Sequence, residues 1–345
     1  MREEKTTYGV LRWDAWYPST TPTDTGFQAA RSLNPKKYHF RAPFFARINE
    51  EDRVVIPEYT QEIFDREMEY ALDAGIDYFS YVWYDHPGLR LARDFHKKSK
   101  YRNDLTMCAC IDGNAAMKDY AHEEIPKLFK ESFYKTVFDG RPLVYYFSAP
   151  HLVERIKEDI AFYKEYCKNE NIKAPYFVIM GVGADKAKEM GGDAISRYSI
   201  SGSDNIPFRK LMENTYAIWE RHSREGEAMG IDNVLPMTAG WHPHPRFEQP
   251  VSWMGVQEND YVQYATPEEI YEHYKDAQAF LKDEKNFEST KTNSTILYAW
   301  NEHDEGGWIC PTLKVDENGN QVFDEKGEPM IDTSRIEAVK RAIKG

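Results

Sequence analysis

Eight short runs of β-branched and aromatic residues recur along this chain, and a stretch with helical spacing of apolar positions follows each of them. That alternation constrains the fold more than any other feature. The spacing predicts strands over 8–16 (YGVLRWDAW), 77–84, 105–111, 142–148, 176–181, 194–200, 234–241 and 295–301. Helices are expected over 58–74, 90–100, 121–134, 151–169, 185–190, 207–225, 267–284 and 333–343. The seventh of these shows its start clearly, with Thr266 as N-cap, Pro267 in the first turn and acids after it, and with Ile270, Tyr274, Ala277 and Leu281 at helical spacing.

Strands that are apolar almost throughout are buried on both faces, which points to a parallel sheet covered by helices. Eight such units are the number that closes a (β/α)8 barrel, the TIM barrel architecture of the α/β class. A doubly wound open sheet is the other arrangement of alternating units, but no G-x-G-x-x-G or P-loop follows any strand. No repeat, low-complexity tract or linker divides the 345 residues, so residues 1–345 are read as one barrel domain. The segment after the first strand, roughly 17–56, is far longer than an ordinary connection and is expected to roof a pocket. The run LKVDENGNQVFDEKGEP is expected to form a hairpin, turning at Asn318-Gly319, inserted before the last helix.

A net charge of −13 and a pI near 5.3 argue against nucleic acid as a partner, because a phosphate backbone needs a basic face that no segment supplies. No apolar run reaches the roughly 20 residues of a membrane span. The opening MREEKTTYGV lacks a signal-peptide core, so the chain as written reads as cytoplasmic, with a periplasmic or secreted setting open if a leader has been removed. The cysteines Cys108, Cys110, Cys167 and Cys310 have no zinc-like spacing. Cys108 and Cys110 are expected to share one face of a strand and fill core, and no disulfide is expected.

Aromatic residues make up 14% of the chain, and many gather beside polar residues where apolar runs end, as in RWDAWYP, YVWYDHPG, AGWHPHPR and YAWNEHDE. In a barrel those ends carry the active site. A flat apolar face beside a hydrogen-bonding group suits a sugar ring, although strand-end aromatics also pack under loops. The expected contact residues are Trp13, Asp14 and Tyr17 after the first strand, and Trp83, Tyr84, Asp85 and His86 after the second. Asp112 follows the third, Trp241, His242 and Arg246 the seventh, and Trp300, Asn301, His303 and Asp304 the eighth.

The eighth run ends in NEHDEGG, which sets Glu302 and Glu305 three apart before two glycines. Like charges this close repel, which raises the pKa of one of them. One protonated and one ionised carboxyl form the basic kit for glycosidic cleavage. A metal centre built from His242, His244, His303, Asp304 and Asp14 is the rival reading, but these residues lack a tight ligand spacing. No metal or other cofactor is expected. A serine nucleophile is disfavoured by the lack of a G-x-S-x-G elbow.

The run Asn301, Glu302, His303, Asp304, Glu305, Gly306, Ile309 and Pro311 resembles the N-E-W-x-E-G-x-x-[IL]-E-P segment of the WbsX-like group, relatives of glycoside hydrolase family 99. GWHPHPR (240–246) resembles the group's G-W-D-x-x-P-R segment, and APFFARI (42–48) and AGIDYFSYVWY (74–84) resemble its early blocks. The resemblance extends from about residue 8 to residue 312. It implies a barrel that hydrolyses α-linked glycans, α-mannosides in the family 99 case, with retention and without a metal. By that resemblance Glu302 takes the proton of the substrate 2-hydroxyl, which attacks the anomeric carbon, and Glu305 protonates the leaving oxygen. In this sequence His303 stands where the group usually has Trp, Cys310 where it often has Glu, and His242 follows Trp241 in place of an acid. The subsite around the pair is therefore altered, and the sugar and linkage stay open. The expected partner is an oligo- or polysaccharide. Glycan transfer in polysaccharide synthesis, or carbohydrate binding without turnover, are the other readings.

Overall fold

The structure, a computed structural model, describes residues 2–345. Eight parallel strands close into a barrel: β1 (Thr7–Arg12), β2 (Tyr78–Val82), β3 (Thr106–Asp112), β4 (Arg141–Phe147), β5 (Tyr176–Met180), β6 (Ala194–Ser196), β7 and β8 (Ser294–Tyr298). Strand β7 has two parts on either side of Val234. Asp232–Asn233 pairs with β6, whereas Leu235–Thr238 pairs with β8. The Val234 amide bonds to the Ile195 carbonyl at 3.1 Å and carries the ladder across the break. Closure is completed by β8 on β1, in register from Thr7↔Ser294 to Val10↔Leu297.

The reason for the near-continuous apolar runs is visible in burial, since β2, β5 and β8 are buried along their whole length. Barrel-facing side chains meet inside and helices cover the outside. The helices, in chain order, are α1 (Thr25–Ser32), α2 (Gln61–Ala74), α3 (Pro87–Lys98), α4 (Asp119–Leu128), α5 (Val153–Asn169), α6 (Ala184–Met190), α7 (Phe208–Met229), α8 (His244–Glu248), α9 (Pro267–Lys282) and α10 (Ser334–Lys344). The N-cap expected at Thr266 is present and reciprocal, with Glu269 bonding back to the Thr266 amide at 3.0 Å. Cys108 and Cys110 lie in β3, and all four cysteines are buried free thiols. No helix among the described residues is long and apolar enough to cross a membrane.

Several strands end earlier than the apolar runs do: β1 stops at Arg12, β6 at Ser196 and β8 at Tyr298. Beyond these points side chains join the backbone ladder in holding the chain: the Trp300 amide still bonds the Leu11 carbonyl of β1 at 2.7 Å, but side chains take over elsewhere. The Trp13 amide, for example, donates to the Asn301 side chain at 2.9 Å. The long first loop holds α1, a 3-10 turn over Lys36–Arg41 and a ribbon pairing Arg47–Ile48 with Val54–Val55. The insertion before α10 turns at Asn318-Gly319, as expected, and then turns a second time at Gly327, giving three short antiparallel runs.

Candidate active site

The stretch after β8 is a tight hairpin. Asn301–Glu302 pairs with Gly307–Trp308, and residues 303–306 make the turn. Its tip lies directly against the loop after β7. The His242 amide donates to the Glu305 carbonyl at 2.5 Å, and Gly306 has φ +87°. A Cβ added at Gly306 would stand 2.6 Å from the His242 nitrogen, and one at Gly240 would overlap the Gly306 carbonyl. Glycine at both positions lets the two loops meet. The buried Arg41, from the long first loop, holds them together by donating to the His303 carbonyl at 2.5 Å and the His242 carbonyl at 3.0 Å.

This contact gathers three acids around one cation. Arg246, on α8, makes a two-pronged pair with Asp304 at 2.7 and 3.0 Å and donates to Glu305; its guanidinium is 3.7 Å from Glu302. Glu305 also accepts from the Tyr298 hydroxyl. Glu302, 3% exposed, accepts from the Tyr198 hydroxyl at 2.8 Å, while its other oxygen is buried with no protein partner. Burial and then the charge of Glu305 push Glu302 well above the usual carboxyl range, against the pull of Arg246. The Arg246 guanidinium is held above its ordinary value by Asp304 and the two glutamates, which outweigh its burial.

Both glutamates open onto a cavity of about 610 Å³ at the C-terminal mouth of the barrel. Of the residues singled out from the sequence, Trp13, Tyr84, Asp112, Trp241, Arg246, Glu302 and Glu305 line it. Sequence reasoning missed Phe147, Trp253, Met254 and Leu89 on the wall, and did not count Tyr198, which bonds Glu302, among the contact residues. Phe147 reads from sequence as one more strand residue, and Trp253 lies in a segment with no periodic pattern. Only their exposure in the fold sets them apart.

The other expected contacts do not reach this cavity. Trp83 is fully buried under the Arg93 guanidinium, 4.1 Å from its ring, and Trp300 is buried with its indole nitrogen donating to Glu67 at 2.7 Å. Asp14 accepts from Arg12 and Asn301, and Asn301 in turn holds the Trp13 amide, so these two fix the strand ends. Asp304 is the partner of Arg246. His303 is enclosed near Trp16 and Trp308, and His242 stacks on Tyr264. Burial and Arg41 lower both imidazoles, His242 to about 3, so both are neutral. Tyr17 and His86 line a separate surface depression, and the exposed Asp85 lies outside the cavity. Among the described residues no three His, Cys, Asp or Glu side chains are grouped to hold a metal ion.

The chain matches no family profile, and no curated protein is similar to it in sequence. Among solved structures, the GH99 endo-alpha-mannosidase from Bacteroides thetaiotaomicron superposes with a TM-score of 0.57 at 14% identity, covering 98% of this chain and 96% of the other. The same enzyme in complex with bis-tris-propane gives 0.57 and 14%, covering 98% of this chain and 95% of the other. The likeness is one of fold: both chains are (β/α)8 barrels of similar extent.

Proposed function

We propose that the protein is a glycoside hydrolase that cleaves an α-linked glycan with Glu302 and Glu305. The observation that carries the reading is the pair itself: two buried carboxyls that share the Arg246 guanidinium and line one aromatic-walled cavity. The barrel shared with an endo-alpha-mannosidase supports an α-mannoside or related glycan as substrate.

In the reaction, one carboxyl takes the proton of the sugar 2-hydroxyl while that oxygen attacks the anomeric carbon. The glycosidic bond breaks, and the leaving oxygen takes its proton from the other carboxyl. Water then opens the anhydro-sugar, with net retention. The resemblance gives the base role to Glu302 and the acid role to Glu305, whereas the resting electrostatics favour the proton on Glu302. Both assignments need one protonated and one ionised carboxyl, and they differ in a measurable way.

The test is digestion of α-linked polysaccharides by wild type, Glu302→Gln and Glu305→Gln, with products read by mass. Wild type alone should release fragments. On aryl α-glycosides, whose leaving phenol needs no proton, the variant lacking the acid should recover rate and the variant lacking the base should not. A 2-deoxy substrate should be inert. Equal rates for all three proteins would end the proposal.

A further inference from the structure

Two large apolar side chains stand partly exposed at the rim of the cavity: Phe147, 42% exposed, and Trp253, 37% exposed. Neither is surplus core. Phe147 ends β4 and packs against Tyr198 with ring centres 4.9 Å apart, and Tyr198 is the hydroxyl that bonds Glu302. Trp253 packs against Trp13, which follows β1, at 5.5 Å. The Arg246 guanidinium lies 5.1 Å from the Trp13 ring and 5.6 Å from the Trp253 ring, and it donates to Glu305. The first platform thus adjoins Glu302, and the second adjoins the guanidinium that both carboxyls share. In a closed barrel of eight strands β4 and β6, whose ends carry Phe147 and Tyr198, flank β5, the strand opposite β1, so the two platforms stand across the mouth from each other and line one cavity with both carboxyls.

The Trp253 side is also built to stay in place. The segment before it is tied to α1, where Ser252 donates its amide to Gln28 at 2.8 Å and Arg31 bonds the Pro250 carbonyl. A tryptophan held at a pocket rim with a third of its surface open is poorly placed as core but well placed to receive the apolar face of a ring.

Building on the proposed hydrolysis, we infer that substrate lies across the barrel mouth with one sugar ring on the Phe147–Tyr198 platform and another on the Trp13–Trp253 platform. Trp253 and Phe147 then determine specificity: they select glycans that extend on both sides of the cleaved bond and disfavour those that end at it.

The experiment uses α-mannan disaccharide, trisaccharide and tetrasaccharide with wild type, Trp253→Ala, Trp253→Phe and Phe147→Ala, each verified as folded by circular dichroism. Wild-type kcat/KM should climb with length. Each alanine variant should lose about tenfold on the tetrasaccharide, mainly in KM, and less on the disaccharide, with Trp253→Phe restoring most of the loss. Loss by the same factor at every length, or no loss, overturns the inference while leaving the hydrolase reading intact. Absence of both cleavage and tryptophan-fluorescence change with wild type across the whole series overturns both.

Discussion

His303 is the residue whose chemistry fits its surroundings worst. It is fully buried, neither ring nitrogen has a hydrogen-bond partner in the protein, and its pKa is driven well below the normal value by burial and by Arg41. An unpaired buried polar group costs about 1–3 kcal/mol, so replacing the ring with an apolar one of similar shape should stabilise. His303→Phe is expected to raise the urea midpoint without changing the slope. A lower midpoint would mean that a bound water already satisfies the imidazole. Arg246 is the opposite case, because Asp304 and Glu305 both depend on it. Arg246→Met leaves buried charge unpaired and should lose about 3–5 kcal/mol of stability in the same titration. The glutamate pair was legible in the sequence because repulsion between close acids needs an explanation wherever it occurs. Trp300, Asn301 and Asp304 were legible as a cluster but not by role. Direction of a side chain depends on where the strand ends, and β8 ends at Tyr298.

The hairpin after β8 and the loop after β7 act as one element, joined at glycines. Gly306 and Gly327 both have positive φ, +87° and +79°, so alanine meets similar backbone strain at each, about 1–2 kcal/mol. They differ in surroundings: an added Cβ at Gly327 has no atom within 4 Å, while at Gly306 it would crowd the His242 backbone. Gly327→Ala should therefore lower stability by the strain alone and leave kcat as it is. Gly306→Ala should lose more stability and, by displacing Glu305, reduce kcat by up to about a hundredfold. Equal effects of the two substitutions on both quantities would show that the loop contact does not position the pair. At this scale the order of strands and helices was readable because the period changes between 2 and 3.6 along the chain. Helix α1 was not: it has eight residues and lies in a segment expected to be loop, and its N-cap, Asp24 accepting from the Gly26 amide, is an easily overlooked signal. The break in β7 at Val234 was equally invisible, since only pairing partners distinguish its two parts.

Across the whole molecule, five of the ten histidines are buried and neutral in the fold: His96 on α3, His222 on α7, His273 on α9, His242 after β7 and His303 in the hairpin. Desolvation is the largest cause in each case and lowers the first four to about 3. An unfolded histidine titrates near 6.5, so below that pH the unfolded chain binds protons that the folded chain refuses. Stability contributed this way is complete above about pH 6.5 and is lost as pH falls toward about 3. Glu302, Asp232 and the less buried Asp276 pull the other way, because their raised folded pKa values favour the folded state on the acid side of the window. Three such groups do not offset five. Each histidine contributes a slope of about 1.4 kcal/mol per pH unit within the window, against a total stability of about 5–15 kcal/mol. Cooperative acid unfolding is therefore expected well above the range in which most carboxylates titrate. His273 packs flat on Trp219 with rings 14° apart and accepts from the Thr238 amide at 3.3 Å, so phenylalanine fills the position with the loss of that one bond, a cost that does not vary with pH. Urea titrations from neutral pH down to about pH 4 should show wild-type stability falling steeply, and His273→Phe should reduce that slope by about 1.4 kcal/mol per pH unit. A flat wild-type profile across this range would mean that the imidazoles reach water in the folded state, and that the shell between helices and barrel is looser than its packing indicates.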